Sequence, residues 1–348
     1  MKKFLSILVM CVMASVNAFA QELVVTLTHG DTTTEYYGIS AFQTAVNASV
    51  NGDLITLSPG VFHGGTIENR SITLRGNGSE GENATIFDTD VVVKKPAIEN
   101  DPGLNIQGFK IDAKLRFATP LVSENINVSK CKITSIECDT YYGWSDSFGR
   151  TRNLNILQCE VIDHAYFQIE SEANFVNSVV ANFYYNRYDQ NNNFNFINCV
   201  VYATDHSSYY DSSSYNKKLN FSARNSIFIT NTDQNNFFVN TPNFDHCIVT
   251  GALEEMPNLL SKCSLTATQY MPITSVFKTL TDNTIYTEDT FELTDAAAAV
   301  VGTDGNQLGI YGGYLPYDMT VTYPHFTTFN VAEKAENGQL DVELQIND

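Results

Sequence analysis

Through the middle of the chain, apolar and polar residues alternate around a single small or sulfur-bearing position, and this short pattern repeats. It reads Ile126-Asn-Val-Ser-Lys-Cys131-Lys-Ile133, then Leu154-Asn-Ile-Leu-Gln-Cys159-Glu-Val161, then Phe194-Asn-Phe-Ile-Asn-Cys199-Val-Val201. Looser copies centre on Ser178, Ser226 and Cys247, and an earlier one from Leu104 to Ile111 places Phe109 at the same position. Successive anchors lie 19 to 28 residues apart, about 23 on average. Alternation within each copy is that of a strand with one buried face. A repeat of this length is one supersecondary unit that buries its apolar face only by stacking on its neighbours.

The pattern therefore predicts an all-β solenoid, a parallel β-helix of about eight to ten coils with the anchors stacked inside. Leucine-rich repeats share the period but need several leucines per unit, whereas this chain uses Asn, Val and Ile. An antiparallel sandwich would need tight hairpin turns, and only Asn51-Gly52 and Asn337-Gly338 resemble them. Asn177, Asn198 and Asn225 each precede an anchor and are expected to form a ladder at a bend. At the front, Ser40 is expected to cap a short helix with Phe42, Ala45 and Val46 on one face, followed by the strand Leu54 to Leu57. That helix would plug the open end of the solenoid. At the back, Leu340, Val342, Leu344 and Ile346 alternate with polar residues and predict a terminal β-hairpin covering the last coil.

The first twenty residues read as an export signal: Lys2 and Lys3, an apolar run from Phe4 to Val12, and Ala18-Phe19-Ala20 before Gln21. The run is too short to span a bilayer, and no transmembrane segment is expected elsewhere. Residues 21–318 are assigned to the β-helix and residues 319–348 to the hairpin segment. A secreted, periplasmic or cell-surface location follows. The net charge of −19 disfavours nucleic acid and anionic membranes as partners. Cys131, Cys159, Cys199 and Cys247 share one local pattern and predict a buried stack; no spacing suits a zinc site.

Two stretches carry a resemblance. One is Ser40 to Gly78, with Gly52-Asp53-Leu-Ile-Thr-Leu-Ser-Pro-Gly60 and Ser71-Ile-Thr-Leu-Arg-Gly-Asn-Gly78; the other is Ala296 to Gly313, with Gly309-Ile-Tyr-Gly-Gly313. The first resembles the opening of pectate-lyase-like right-handed parallel β-helix proteins. The second resembles the closing coil of such proteins secreted by Bacteroidetes-type bacteria. The resemblance implies fold rather than activity, because this superfamily includes lyases, hydrolases, adhesins and proteins of other kinds. Ile162-Asp163-His164 is similar to part of a lyase signature and Asn231-Thr232-Asp233 to part of a polygalacturonase one, but the companion residues of both are missing.

Three polar insertions follow anchor strands at comparable places. They contain Tyr141, Tyr142, Trp144 and Asp146; Tyr185, Arg187, Tyr188 and Asp189; and Tyr209 and Tyr210. Insertions at one point of successive coils emerge on one side, where their rings can stack on sugars while Asp, Arg and Asn bond hydroxyls. A polysaccharide is the expected partner, and glycan binding without catalysis the expected function. The alternatives are a polysaccharide lyase, a glycoside hydrolase, and a structural interaction protein. A lyase would draw its cation and base from Arg150, Arg152, Arg187, Asp163 and His164. No cofactor motif is evident; Asp146 and Asp189 are the candidate calcium ligands.

Overall fold

The computed structural model describes residues 23–118, 121–138, 149–167, 170–185, 193–203, 220–230, 243–250, 264–280, 290–323, 325–331 and 342–347. Two long sheets dominate. The first runs Thr32–Tyr37, Val24–His29, Leu54–Leu57, Thr73–Arg75, Leu104–Gln107, Val122–Ser129, Arg150–Leu157, Glu172–Val176, Asn193–Ile197, Asn220–Arg224, Asn243–Asp245 and Ser264–Thr266. Its first three strands pair antiparallel, and from Leu54 onward every pairing is parallel. The second sheet is parallel throughout and alternates with the first along the chain, from Gly60–Phe62 through Lys110–Phe117, Lys132–Cys138 and Glu160–Phe167 to Gln269–Tyr270. Between Leu54 and Tyr270 sequential strands pair with the next coil and not with each other, which makes a solenoid-like stack and rules out both a sandwich and leucine-rich units with helices.

The anchors fall where the repeat placed them. Phe109, Cys131, Cys159, Ser178, Cys199, Ser226 and Cys247 are all fully buried. Each follows a residue in the left-handed region: Gly108 at φ 75°, then Lys130, Gln158, Asn177, Asn198, Asn225 and His246 at 46° to 53°. This single residue turns the chain from the first sheet into the second, and Asn and Gly tolerate that conformation best. Serine anchors tie the stack: the amides of Cys159 and Cys199 donate to the hydroxyls of Ser178 and Ser226, each at 3.0 Å. The described cysteines are free thiols, and burial pushes Cys199 and Cys247 up to about 12.

The asparagine ladder lies elsewhere than expected. Asn177 and Asn225 do not bond each other; they reach outward to a later segment. The ladder instead runs up the outer face of the first sheet, where Asn127 donates to Asn105, Asn155 to Asn127, Asn174 to Asn155 and Asn195 to Asn174, at 2.8 to 3.0 Å. Ser222 continues it. These positions are in register, so each amide meets its counterpart one coil away.

At the front, the helix Ala41–Ala48 buries Ala41, Phe42, Ala45 and Val46 and packs on strands Val24–His29, Thr32–Tyr37 and Leu54–Leu57. Phe42 stacks against Phe87, and Phe87 against Phe109, with ring centroids 4.8 and 5.0 Å apart. Ser40 makes no side-chain capping bond; the amide of Ala41 is satisfied by the carbonyl of Gly38 at 3.0 Å instead. Close by, Lys95 and Asp101 form an ion pair whose side chains are 0% and 4% exposed. Asp101 also accepts from Ser71, from Asn125 at 3.1 Å and from the amide of Gly103 at 2.9 Å. Burial raises its pKa, but the bonds from Lys95, Ser71, Gly103 and Asn125 outweigh burial and hold it at about 2.

The largest departure from expectation is residues 302–323. They do not close a coil; they run back along the outside of the stack as a strap over the left-handed bends. Asn225 bonds Thr303 through both its amide nitrogen and oxygen, at 3.1 and 2.9 Å, and Asn177 donates to the carbonyls of Ile310 and Gly312, both at 2.8 Å. Gln158 reaches the carbonyl of Pro316, and Lys130 those of Asp318 and Thr320 at 2.9 and 2.6 Å. Tyr323 ends the strap by donating to the carbonyls of Gly76 and Gln107 beneath the Arg75 guanidinium. Strands His325–Val331 and Val342–Asn347 then pair as an antiparallel hairpin. That hairpin starts from the early coils, because the strap has carried the chain back there, and not from the last coil. No helix among the described residues is long and apolar enough to cross a membrane.

Candidate functional site

Six strands of the second sheet end at Cys138, Phe167, Tyr185, Ala203, Thr230 and Thr250, and those ending at Cys138, Tyr185 and Ala203 lead into the three insertions, after which the chain returns into the first sheet at its parallel strands. Register links these exits: Glu137 pairs with Tyr166, Phe167 with Tyr185, Ala203 with Thr230 and Ile229 with Thr250. The insertions are therefore attached along one corner of the stack. Tyr141, Tyr142, Trp144, Asp146, Arg187, Tyr188, Asp189, Tyr209 and Tyr210 lie outside the described residues. Tyr185 is placed by its backbone, at the end of strand Phe183–Tyr185.

Residues around that corner form an ion-pair lattice on the outer face of the second sheet. His164 stands between two carboxylates, with Nδ1 2.8 Å from Asp163 and Nε2 2.7 Å from Glu137. Both ring nitrogens therefore face carboxylates. Lys114 reaches the same Glu137 oxygen at 2.8 Å, and Arg116 pairs with Asp90 at 3.0 Å. Ser135 lies 3.4 Å from His164 Nδ1 and 3.3 Å from Asp163. The three do not act as a nucleophilic triad: Asp163 occupies the nitrogen that would take the serine proton, and Ser135 is 2% exposed.

The predicted basic residues sit on the other sheet. Arg150 and Arg152 open strand Arg150–Leu157, where Arg150 pairs with Glu170 and Arg152 with Glu124 at 2.8 Å. Asp163 and His164 belong to strand Glu160–Phe167 of the second sheet. The structure thus separates the four into two pairs, each engaged with acids or bases of its own neighbourhood. A cation already bound to a carboxylate is a weak stabiliser of an enolate, and a histidine whose two ring nitrogens both contact carboxylates is already engaged at the atoms a base would use. Among the described residues, no group of three or more His, Cys, Asp and Glu side chains is arranged to hold a metal ion. Lys114, Arg116 and Glu137 complete this lattice, although the sequence drew no notice to them. Their signal was positional: each is an outward residue in register with the next coil. Comparison with family models, with curated proteins and with solved structures finds no match for this chain.

Proposed function

We propose that this is an exported, right-handed parallel β-helix of the pectate-lyase-like kind that binds a polysaccharide without cleaving it. The observation that carries the reading is the stacking of the insertion sites along one corner. Sequences rich in Tyr and Trp attached there would present their rings on one side of the molecule, where Tyr141, Tyr142, Trp144, Tyr185, Tyr188, Tyr209 and Tyr210 would stack on sugar rings. The paired state of Arg150, Arg152, Asp163 and His164 favours binding over lyase chemistry. The front helix acts as the plug of the first coil.

The test is a glycan array run beside a uronate-lyase assay, on the chain from Gln21 onward, with and without calcium. Binding without unsaturated product is expected, weakened about tenfold or more by Trp144→Ala, as for an aromatic anchor in a binding site. Unsaturated product that vanishes in Arg150→Ala, Arg152→Ala or Arg187→Ala would overturn the noncatalytic reading, and calcium dependence lost with Asp146 or Asp189 would assign those acids as ligands. Absence of both binding and product would leave a structural interaction protein.

A further inference from the structure

The outer face of the first sheet carries two parallel stripes. One is the asparagine rail already described. A carboxamide offers two donors and two acceptor lone pairs. Among the described residues, the rail uses one of each at Asn127, Asn174 and Asn195, leaving one N–H and one lone pair per rung. Asn155 spends its second N–H on Asn153 at 3.3 Å. All four rungs are half-buried, so the remaining groups face solvent.

The second stripe lies two residues further along each strand. Leu157, Val176 and Ile197 are in register with one another and are half-buried, on an outward face where polar residues are the norm. The stripe ends in Arg224 and Asp245, the next two positions of the same column. Asp245 is held by His246 at 2.7 Å, whereas the exposed Arg224 guanidinium has no hydrogen bond or ion pair among the described residues. Where the stripes meet, Asn174, Asn195, Ile197, Ser222, Arg224 and Asp245 line a concave patch of about 370 Å³.

An amide rail beside an aliphatic stripe repeats the two-sided chemistry of a sugar chain, which carries hydroxyls along its edges and C–H groups on its ring faces. The rungs advance by one strand spacing, about 4.8 Å per coil, which is close to the advance of one ring along an extended β-linked chain. We propose that this face is a second carbohydrate site, taking a neutral, extended polysaccharide laid along the stack. It lies on a different surface from the insertion corner. Neutrality follows from the patch, where Arg224 stands in register with the carboxylate-bearing Asp245, and from a net charge of −19 that repels polyanions.

The experiment is titration calorimetry with cello-oligosaccharides of increasing length, with oligogalacturonate as the anionic comparison. Affinity for the neutral chain should grow with length and exceed that for the anionic one. Arg224→Gln, at an exposed position that leaves the fold intact, should weaken binding about tenfold, the loss of a charged hydrogen bond. Val176→Glu should abolish it by placing a charge on the aliphatic stripe; circular dichroism checks that it folds, and Arg224→Gln decides if it does not. Loss in these variants supports the inference whatever Trp144→Ala does. Wild-type affinity in Arg224→Gln with loss only in Trp144→Ala overturns it and leaves the corner reading standing. Preference for oligogalacturonate, or failure of the neutral chains to bind, overturns it as well.

Discussion

One column of the second sheet is built in two ways along its length. The residue after each anchor faces outward, and in register it reads Lys110, Lys132 and Glu160 in the early coils, then Val179, Val200, Ile227 and Ile248 in the later ones. In the early part these side chains are half-buried and ion-paired, Lys132 to Glu160 at 2.8 Å. In the later part they are fully buried, in a second apolar cluster with Val276, Phe277, Phe291, Leu293, Leu308 and Ile310. The later coils thus have two cores, one inside the stack and one between the sheet and the covering segment. The early coils rely on polar locks, Lys95 with Asp101 inside and the lattice outside. The same backbone position accepts either chemistry, and what covers the sheet decides which one is stable.

Ile227→Asp should break the comparison most severely, because it places an unpaired carboxylate in the second core. A loss of about 4 kcal/mol is expected from burying an unpartnered charge. Denaturant melts check the magnitude, and faster proteolysis within residues 273–310 checks that the covering segment has come away. Intact protection of that segment would show that the second core is dispensable.

Asp101→Ala tests the polar side, leaving the buried Lys95 without its partner; the expected cost is about 3 kcal/mol. The wild-type pH dependence has a definite sign. The folded pKa of Asp101, about 2, lies below its ordinary value, so its contribution is fully present above about pH 4. It is lost as the pH falls toward 2. A melt series across that range should fall less steeply in Asp101→Ala than in wild type, and equal slopes would remove Asp101 from the account.

Lys132→Met should have the smallest effect, under about 1 kcal/mol, because ion pairs near the surface return little beyond what their separated partners gain from water. Thermal midpoints with and without added salt measure it. A larger loss would mean that the early face is as tightly built as the later one.

Much of this was legible in the chain. The anchors and the interior stack follow from local alternation, whereas Asn or Gly marks the left-handed bend before only four of the seven anchors, the others having Lys130, Gln158 and His246 there. Even the divided column was written there, as Lys, Lys, Glu, Val, Val, Ile, Ile after successive anchors, though a repeat search that scores likeness passes over a steady change. The strap was not legible: Lys130 meets Asp318 and Asn177 meets Ile310 across 188 and 133 residues, through carbonyls that every residue type carries. The candidate site divided in the same way. Its aromatic composition was visible, but the pairing of Arg150, Arg152 and His164 with acids on neighbouring coils depends on stacking, which spacing along one chain does not encode.

The strap also changes how the molecule shares load. A plain solenoid couples each coil only to the next, so its ends fray independently. Here one continuous segment grips coils from Asn225 back to Gly76, making distant coils members of one cooperative unit, as a lashing does for a stack of rings. The price is order of assembly: the lashing has no complete track until the coils beneath it have formed, so a later-made segment secures earlier ones.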